Sequence, residues 1–507
     1  MIEIILYILF PTIVALLVLG LSKTSPGSDH FFHLNTIQKI KRTNHRFISG
    51  YLFSVNEKHP FYPQLYHWIL SFLPEKIYSE KYKYLEIIIK AIEIIAFNLF
   101  LGYLYRTIGF NKITFLYANI VFNSFPFSYA FWNAKNTGLS ARGIGLVVGQ
   151  VYLYLIIIFI ISGSLWLLLP IFIVVFIILL LSQMATQLVI LSLPFIVIIF
   201  KVPELLLLPF LSYLLFYLLM PKIAKNYIIG QFNHKRNYAL FLAKIFILNK
   251  RPSIYRDFVY DFWIRHKRGF LGSIYYFYTN PIIEVLYGFP YLWFITYDWY
   301  VGNHSDELVV LYKIVAISVG VFIVTSFRFT RFLGEPQRYI EFVLPVITFI
   351  FVVTSPPIII FISTLISIAF VITGTLIMRR LVKSHNPLNN KKELIEYLEI
   401  LPEKKCTICI SNDNDLLKEL PALGVEVVRS DISCFYKDKI EFNSYYYNNY
   451  LELSPFAISS YMKLFNPNLL IINNSIYKFS YLAERIDIGT IKKVKTFDQY
   501  EIYTIEK

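Results

Sequence analysis

Apolar residues form long uncharged blocks that recur along the chain as far as about residue 377. The blocks 151–161, 165–181 and 188–200 contain no Asp, Glu, Lys or Arg. A membrane-spanning helix needs about 20 such residues, since its backbone groups must be satisfied inside the segment. The pattern predicts eleven spans, near residues 2–21, 85–105, 113–131, 143–162, 165–182, 186–200, 203–220, 281–298, 308–325, 340–354 and 357–377.

The pattern changes after residue 391, where short apolar strands alternate with short helices. This alternation predicts a small soluble α/β domain over 391–507, following a membrane module over 1–385. Cys406 and Cys409 fall in one predicted strand and point to opposite faces, so they are not a ligand pair. The predicted helices are Glu393–Leu398 and Asp415–Leu420, and the predicted strands are Cys406–Ile410, Val425–Val428 and Leu469–Ile472.

Composition supports a membrane protein, because 56% of the residues are hydrophobic and only 16% are charged. Soluble domains carry about 25% charged residues. The net charge of +15 lies largely in loops beside spans, where it fits membrane lipids or phosphate groups. No nucleic-acid-binding motif is present, so we expect no nucleic acid as a partner.

Two long polar loops, 23–84 and 221–280, lie on the same side of the membrane because six predicted spans separate them. The second loop has eleven Lys and Arg residues between Lys222 and Arg268, which by the positive-inside rule favours the cytoplasm. Both loops reach the length at which that rule stops applying. Composition alone therefore leaves the orientation open.

The first long loop contains the strongest candidate chemistry. Ser28 or Asp29 can cap a helix that runs to about Arg42, and His33 would share one face of it with Asp29. A carboxylate at the membrane surface can act as a general base towards a hydroxyl. We expect three histidines and a tyrosine to orient a substrate phosphate or tune the carboxylate: His30, His33, His59 and Tyr62.

Two alternatives remain for this loop. In one, Asp29 only caps the helix and the histidines fill the membrane interface. In the other, Asp29, His33 and His59 bind zinc, although the chain lacks an HExxH motif. We predict no metal and no cofactor.

Two further patches fall on the same side by span counting. One is the segment 328–339, whose arginines suit phosphate because guanidinium groups make bidentate hydrogen bonds to it. Its candidate binding residues are Arg328, Glu335, Arg338 and Tyr339. The other patch, 133–142, ends at Arg142, which can reach a head group or merely extend to the interface.

Inside the bundle, Lys90 is expected to pair with Glu86 or Glu93 near one end of the second span. Gly145 and Gly149 form a GxxxG motif in the fourth span, which indicates close helix packing.

Together these features resemble the GT-C superfamily of membrane glycosyltransferases, of the protein O-mannosyltransferase and aminoarabinose transferase type. The resemblance rests on the Ser28–His33 segment after the first span, the His59–Pro63 stretch, Arg142, the Gly334–Tyr339 segment and the C-terminal α/β domain. Many members have an acidic pair in the first loop, whereas this chain has His30 beside Asp29.

The resemblance implies that Asp29 is the catalytic base and that the long loops and the C-terminal domain lie outside the cytoplasm. The chain would then be a multi-pass plasma-membrane or inner-membrane enzyme. It would transfer a sugar, with inversion, from a polyprenyl-phosphate donor to the hydroxyl of a lipid-linked or glycan acceptor.

Two other functions fit a protein with many spans. O-antigen or capsule polymerases also use arginines for diphosphate, but they place their long loop later and lack an acidic first loop. A transporter or flippase is the non-enzymatic alternative. The chain shows no inverted repeat and has few charges inside its spans, which counts against coupled transport.

Overall fold

The computed structural model describes most of the chain. The described residues are 2–21, 28–50, 59–60, 62–125, 138–237, 285–286, 288–302, 304–327, 330, 333, 336–384, 391–400, 408–423, 425–428, 455–483 and 491–505. They divide into two compact units. The first unit comprises 1–25, 76–220 and 247–380, and the second comprises 26–75, 221–246 and 381–507.

The first unit is a helical bundle. Its helices are α1 (Ile2–Leu21), α5 (Tyr82–Ile108), α6 (Ile113–Asn123), α7 (Ala141–Ser162), α8 (Leu168–Leu181), α9 (Gln183–Phe200), α10 (Leu207–Leu219), α12 (Tyr291–Val301), α13 (Asp306–Thr325), α14 (Arg338–Glu341), α15 (Leu344–Thr354) and α16 (Pro357–Ser384). Two 3-10 turns, Leu165–Leu167 and Pro203–Leu206, lead into α8 and α10.

Within the described residues, four helices are long and apolar enough to cross a membrane: α5, α7, α9 and α13. Six shorter apolar helices occupy other predicted spans, at Ile2–Leu17, Ile113–Asn123, Leu165–Leu181, Pro203–Leu219, Leu344–Thr354 and Pro357–Thr373. The prediction of a helical membrane protein with many spans is therefore confirmed.

The core of this unit forms around α7, which packs against α5, α8 and α9. Helix α15 is apolar on every face, and each residue from Leu344 to Val352 is buried. The predicted span 113–131 begins correctly, but its helix ends at Asn123, and 126–137 lie outside the described residues. At the predicted span 281–298, the described helix is α12.

The second unit contains the first-loop helices and the C-terminal domain. Its helices are α2 (Ser28–Arg42), α3 (Leu65–Ser71), α11 (Pro221–Asn237), α17 (Lys392–Ile400), α18 (Asn414–Glu419), α19 (Pro455–Phe465) and α20 (Phe479–Ala483). The short helix α4 (Glu75–Ser79) follows α3. Helix α2 packs against α3, against α18 and against the 3-10 turn Leu420–Leu423.

The C-terminal domain is built on a five-stranded mixed sheet of order β2-β1-β3-β5-β4. Its strands are β1 (Ile408–Ser411), β2 (Glu426–Val427), β3 (Leu469–Asn473), β4 (Ile491–Phe497) and β5 (Tyr500–Ile505). Strand β1 pairs in parallel with β2 and β3, and β5 is antiparallel to β3 and β4. The small α/β domain is thus confirmed. At the first predicted strand the described strand is β1, and Cys406 lies outside the described residues.

A buried polar network joins the carboxyl ends of β1 and β3. The Asn412 side chain accepts from the Asn473 backbone N–H at 2.7 Å and donates to its carbonyl at 3.0 Å. Asp413 accepts from the Tyr500 hydroxyl at 2.7 Å and from the Asn473 amide at 3.1 Å, and Lys391 lies 3.8 Å from it. Burial alone would raise the pKa of Asp413, but the Lys391 charge and these hydrogen bonds hold it below its usual range.

Candidate active site

The candidate base lies on the helix that follows the first span. Helix α2 begins at Ser28 and ends at Arg42, as the sequence predicts, with Asp29 in its first turn. An acidic residue there is favoured by the partial positive charge of the helix N-terminus. The backbone of Asp29 is described, and its side chain is outside the described residues. Residues 33–37 are all buried, so protein surrounds the middle of α2.

Helix α2 is fixed to α3 by a pair of histidines. The Nδ1 atom of His33 and the Nε2 atom of His67 are 2.7 Å apart, and one of the two nitrogens donates to the other. Tyr62 packs edge-on against both rings, at centroid distances of 5.3 Å from His33 and 5.7 Å from His67. The structure thus brings together His33 and Tyr62, two of the predicted binding residues. It adds His67, which the sequence analysis did not single out.

Burial keeps His30 and His67 uncharged near neutral pH. It lowers the pKa of His30 to about 4. Burial, followed by repulsion from His33, lowers the pKa of His67 well below its ordinary value. These rings therefore offer hydrogen bonds rather than positive charge.

Hydrogen bonds join other described residues of the first loop. The Gln64 side chain accepts from the Ile48 N–H and donates to the Ile48 carbonyl, both at 2.8 Å. The Trp68 indole donates to the His45 carbonyl at 2.9 Å. Ile40, Ile48 and neighbouring aromatic residues form a small core. His59 is partly buried and stands immediately before the buried Pro60.

Three of the other predicted binding residues lie in the first unit. Arg338 and Tyr339 are buried in α14, at 8% and 0% exposure. The Tyr339 hydroxyl donates to the Leu333 carbonyl at 2.9 Å and reaches Gln187 at 3.3 Å, so it fixes the entry to α15. Arg142 lies in the first turn of α7, and its backbone N–H donates to the Ser140 side chain at 3.1 Å. The remaining two, Arg328 and Glu335, lie outside the described residues.

A buried ion pair occurs inside the bundle. Lys90 lies 3.0 Å from Glu93 and 4.4 Å from the ring centre of Phe122. Gln150, fully buried on α7, donates to the other oxygen of Glu93 at 3.1 Å. Glu86 is buried one turn before Lys90 on the same face of α5. The sequence left open which glutamate pairs with Lys90, and it gave no sign of Gln150.

These features define the class: a helical membrane protein with many spans, a helical first loop with an acidic residue in its first turn, and a C-terminal α/β domain. Seven chains of solved structures match it. Among them is ArnT from Cupriavidus metallidurans in the apo state, with a TM-score of 0.52 and 9% identity over 99% of this chain and 97% of that one. The likeness shows that this chain has the fold of ArnT over nearly its whole length. No family model and no curated protein matches the chain.

Proposed function

We propose that the protein is a membrane glycosyltransferase. It transfers a sugar from a polyprenyl-phosphate donor to an acceptor hydroxyl at the outer face of the plasma or inner membrane. The observation that carries this proposal is the GT-C-type fold over the whole chain, with Asp29 in the first turn of the first-loop helix. The acceptor is a lipid-linked molecule or a glycan. The reaction uses no cofactor and no metal.

The proposed reaction is a single inverting displacement. Asp29 accepts the proton of the acceptor hydroxyl while the hydroxyl oxygen forms a bond to the anomeric carbon. The bond between that carbon and the phosphate oxygen breaks, and polyprenyl phosphate leaves with the electron pair. A positioned general base contributes about 10²–10⁴-fold to such a step.

The leaving phosphate needs positive charge more than it needs an acid. Arg338, with Arg142 or Arg328, supplies it through charge-assisted hydrogen bonds. The neutral His30 supplies a hydrogen bond to substrate, and the His33–His67 pair holds α2 in place.

The test compares Asp29→Asn and Arg338→Ala with matched controls in reconstituted membranes. Asp306→Asn makes the same change at the exposed start of α13, and Arg106→Ala removes an exposed arginine from α5. Profiling of lipid-linked sugars in a deletion strain first identifies the donor that accumulates. Transfer should fall by about 10²-fold or more in Asp29→Asn, and strongly in Arg338→Ala, with both controls near normal. Near-normal transfer in both site variants, at equal expression, would remove the assignment.

Orientation has its own test. The proposal places Ser305 in the cytoplasm and Lys507 outside, so tags at the two positions should be labelled from opposite sides of the membrane. Labelling of the Ser305 tag from outside intact cells would contradict the proposed orientation.

A further inference from the structure

Helix α11 begins the second long loop, which was predicted to be basic and without a helix. It contacts the first loop at Gly230. A Cβ atom added to Gly230 would lie 2.8 Å from the carbonyl carbon of Pro60, 3.1 Å from the oxygen of His59, and nearer still to the Pro60 oxygen. Real Cβ atoms essentially never approach other atoms closer than 3.0 Å. The backbones of α11 and of the His59–Pro60 segment therefore meet only because residue 230 has no side chain.

A second contact lies one turn earlier on the same face of α11. The Asn226 side-chain amide donates to the Ser49 carbonyl at 2.6 Å. Tyr227 and Gly230 are buried on this side, whereas Lys225 and Phe232 are exposed. Helix α11 thus grips the first loop at two points, residue 49 and residues 59–60.

The gripped segment leads directly into the candidate active site. Two residues after Pro60, Tyr62 packs against His33 and His67, and α3 begins at Leu65. A displacement of Pro60 would be carried along this short connection to Tyr62, and through the His33–His67 hydrogen bond to α2.

Glycine inside a helix also has a cost. It destabilises a helix by about 1 kcal/mol relative to alanine. By this measure alone, alanine at position 230 would stabilise α11. The close approach of Pro60 opposes that stabilisation. We propose that Gly230 and Asn226 are positioning residues, through which α11 holds Ser49, His59 and Pro60, and hence Tyr62 and α2, in the geometry needed for catalysis. This inference rests on the proposed glycosyl transfer.

The test is Gly230→Ala, with Gly320→Ala as the matched control. Gly320 lies inside α13 with nothing within 4 Å of an added Cβ, so the same substitution there meets no obstacle. A displacement of about 1 Å in a positioned group can reduce a rate by about 100-fold. We expect kcat of Gly230→Ala to fall at least about tenfold, with KM for the donor within about twofold, and Gly320→Ala to stay within about twofold of the native chain.

A second variant, Asn226→Leu, removes the other contact. It should lower kcat in the same direction, and in Gly230→Ala/Asn226→Leu the two losses should combine less than additively, because both act on one interface. Hydrogen exchange of the full chain in detergent, without substrate, reports the grip itself. Peptides covering 45–65 should exchange faster in Gly230→Ala and Asn226→Leu and unchanged in Gly320→Ala.

The two readouts separate the hypotheses. Faster exchange in 45–65 with no transfer by the native chain would remove the proposed glycosyl transfer and leave the grip standing as a structural contact. Unchanged exchange in both site variants would overturn the grip. Normal kcat in both, despite faster exchange, would overturn the positioning role.

Discussion

The buried Lys90–Glu93 pair gives a prediction that can be worked out from the geometry. Lys90→Met removes the ammonium that lies 3.0 Å from Glu93, while Glu93 is only 2% exposed. The variant leaves Glu93 buried without the ammonium that faces it. Removing one member of a buried ion pair costs about 3–5 kcal/mol, because the remaining charge is desolvated and uncompensated.

The other single variant and the double variant should behave differently. In Glu93→Gln, Lys90 retains Glu86 one turn away on the same face of α5, and the amide can still meet Gln150. Its loss should therefore be smaller, at about 1–2 kcal/mol. Lys90→Met/Glu93→Gln removes the charges of both members of the pair, so no Glu93 carboxylate remains buried without the Lys90 ammonium. It should recover at least about 1 kcal/mol of the Lys90→Met loss.

The measurement is a denaturant titration of each variant in detergent micelles, followed by tryptophan fluorescence. The expected order of unfolding free energy, from highest to lowest, is the native chain, Glu93→Gln, the double variant and Lys90→Met. If the double variant were as unstable as the sum of the single losses, the pair would not be coupled. The argument from buried charge would then be wrong.

Three further predictions follow from single contacts. Gly149→Ala places a Cβ atom 2.6 Å from Cδ1 of Phe342, so it should cost about 1–3 kcal/mol. Gly320→Ala meets no atom within 4 Å and should be neutral or slightly stabilising, because alanine is the better helix former; both are read by thermal unfolding. His67 has a lowered pKa when folded, so it binds a proton more weakly than in the unfolded chain, and native stability should fall as pH drops below about 6.5. His67→Gln should flatten that dependence of the thermal midpoint between pH 7.5 and 5, and an unchanged slope would contradict it. Asp413 has a lowered pKa, so its stabilisation is present above about pH 4 and disappears in more acid solution; Asp413→Asn should raise hydrogen exchange in β1 and β3 at pH 7, and unaltered exchange would count against the network.

Much of the bundle was predictable because each span has to satisfy its own backbone. Length and apolarity are local properties, so α7 and α13 begin within two residues of their predicted starts. The helix α2 was equally predictable, since its cap and its end are both marked by nearby residues. Asp29 could be singled out for the same reason, as an acidic residue directly after the first span.

The surroundings of that residue were not predictable, because they depend on contacts between distant residues. His67 meets His33 across 34 positions, and Asn226 meets Ser49 across 177. Helix α11 was missed because its basic and aromatic composition suggests a loop. The β4–β5 hairpin was missed because β4 alternates poorly, with a run of exposed residues from Lys492 to Thr496.

The glycines of α7 show how packing and the proposed chemistry are connected. The GxxxG motif predicted close packing, and the structure has it: a Cβ at Gly145 would lie 2.5 Å from the Cβ of Ser182, and Gly149 is seated on Phe342. Phe342 is four residues after Arg338, so the approach of α7 fixes the segment that presents this arginine. Arg142 lies two turns before Gly149 on α7 itself. Bulk at Gly149 should therefore displace Arg338 relative to Arg142, and the proposed transfer rate should fall along with the stability of the bundle.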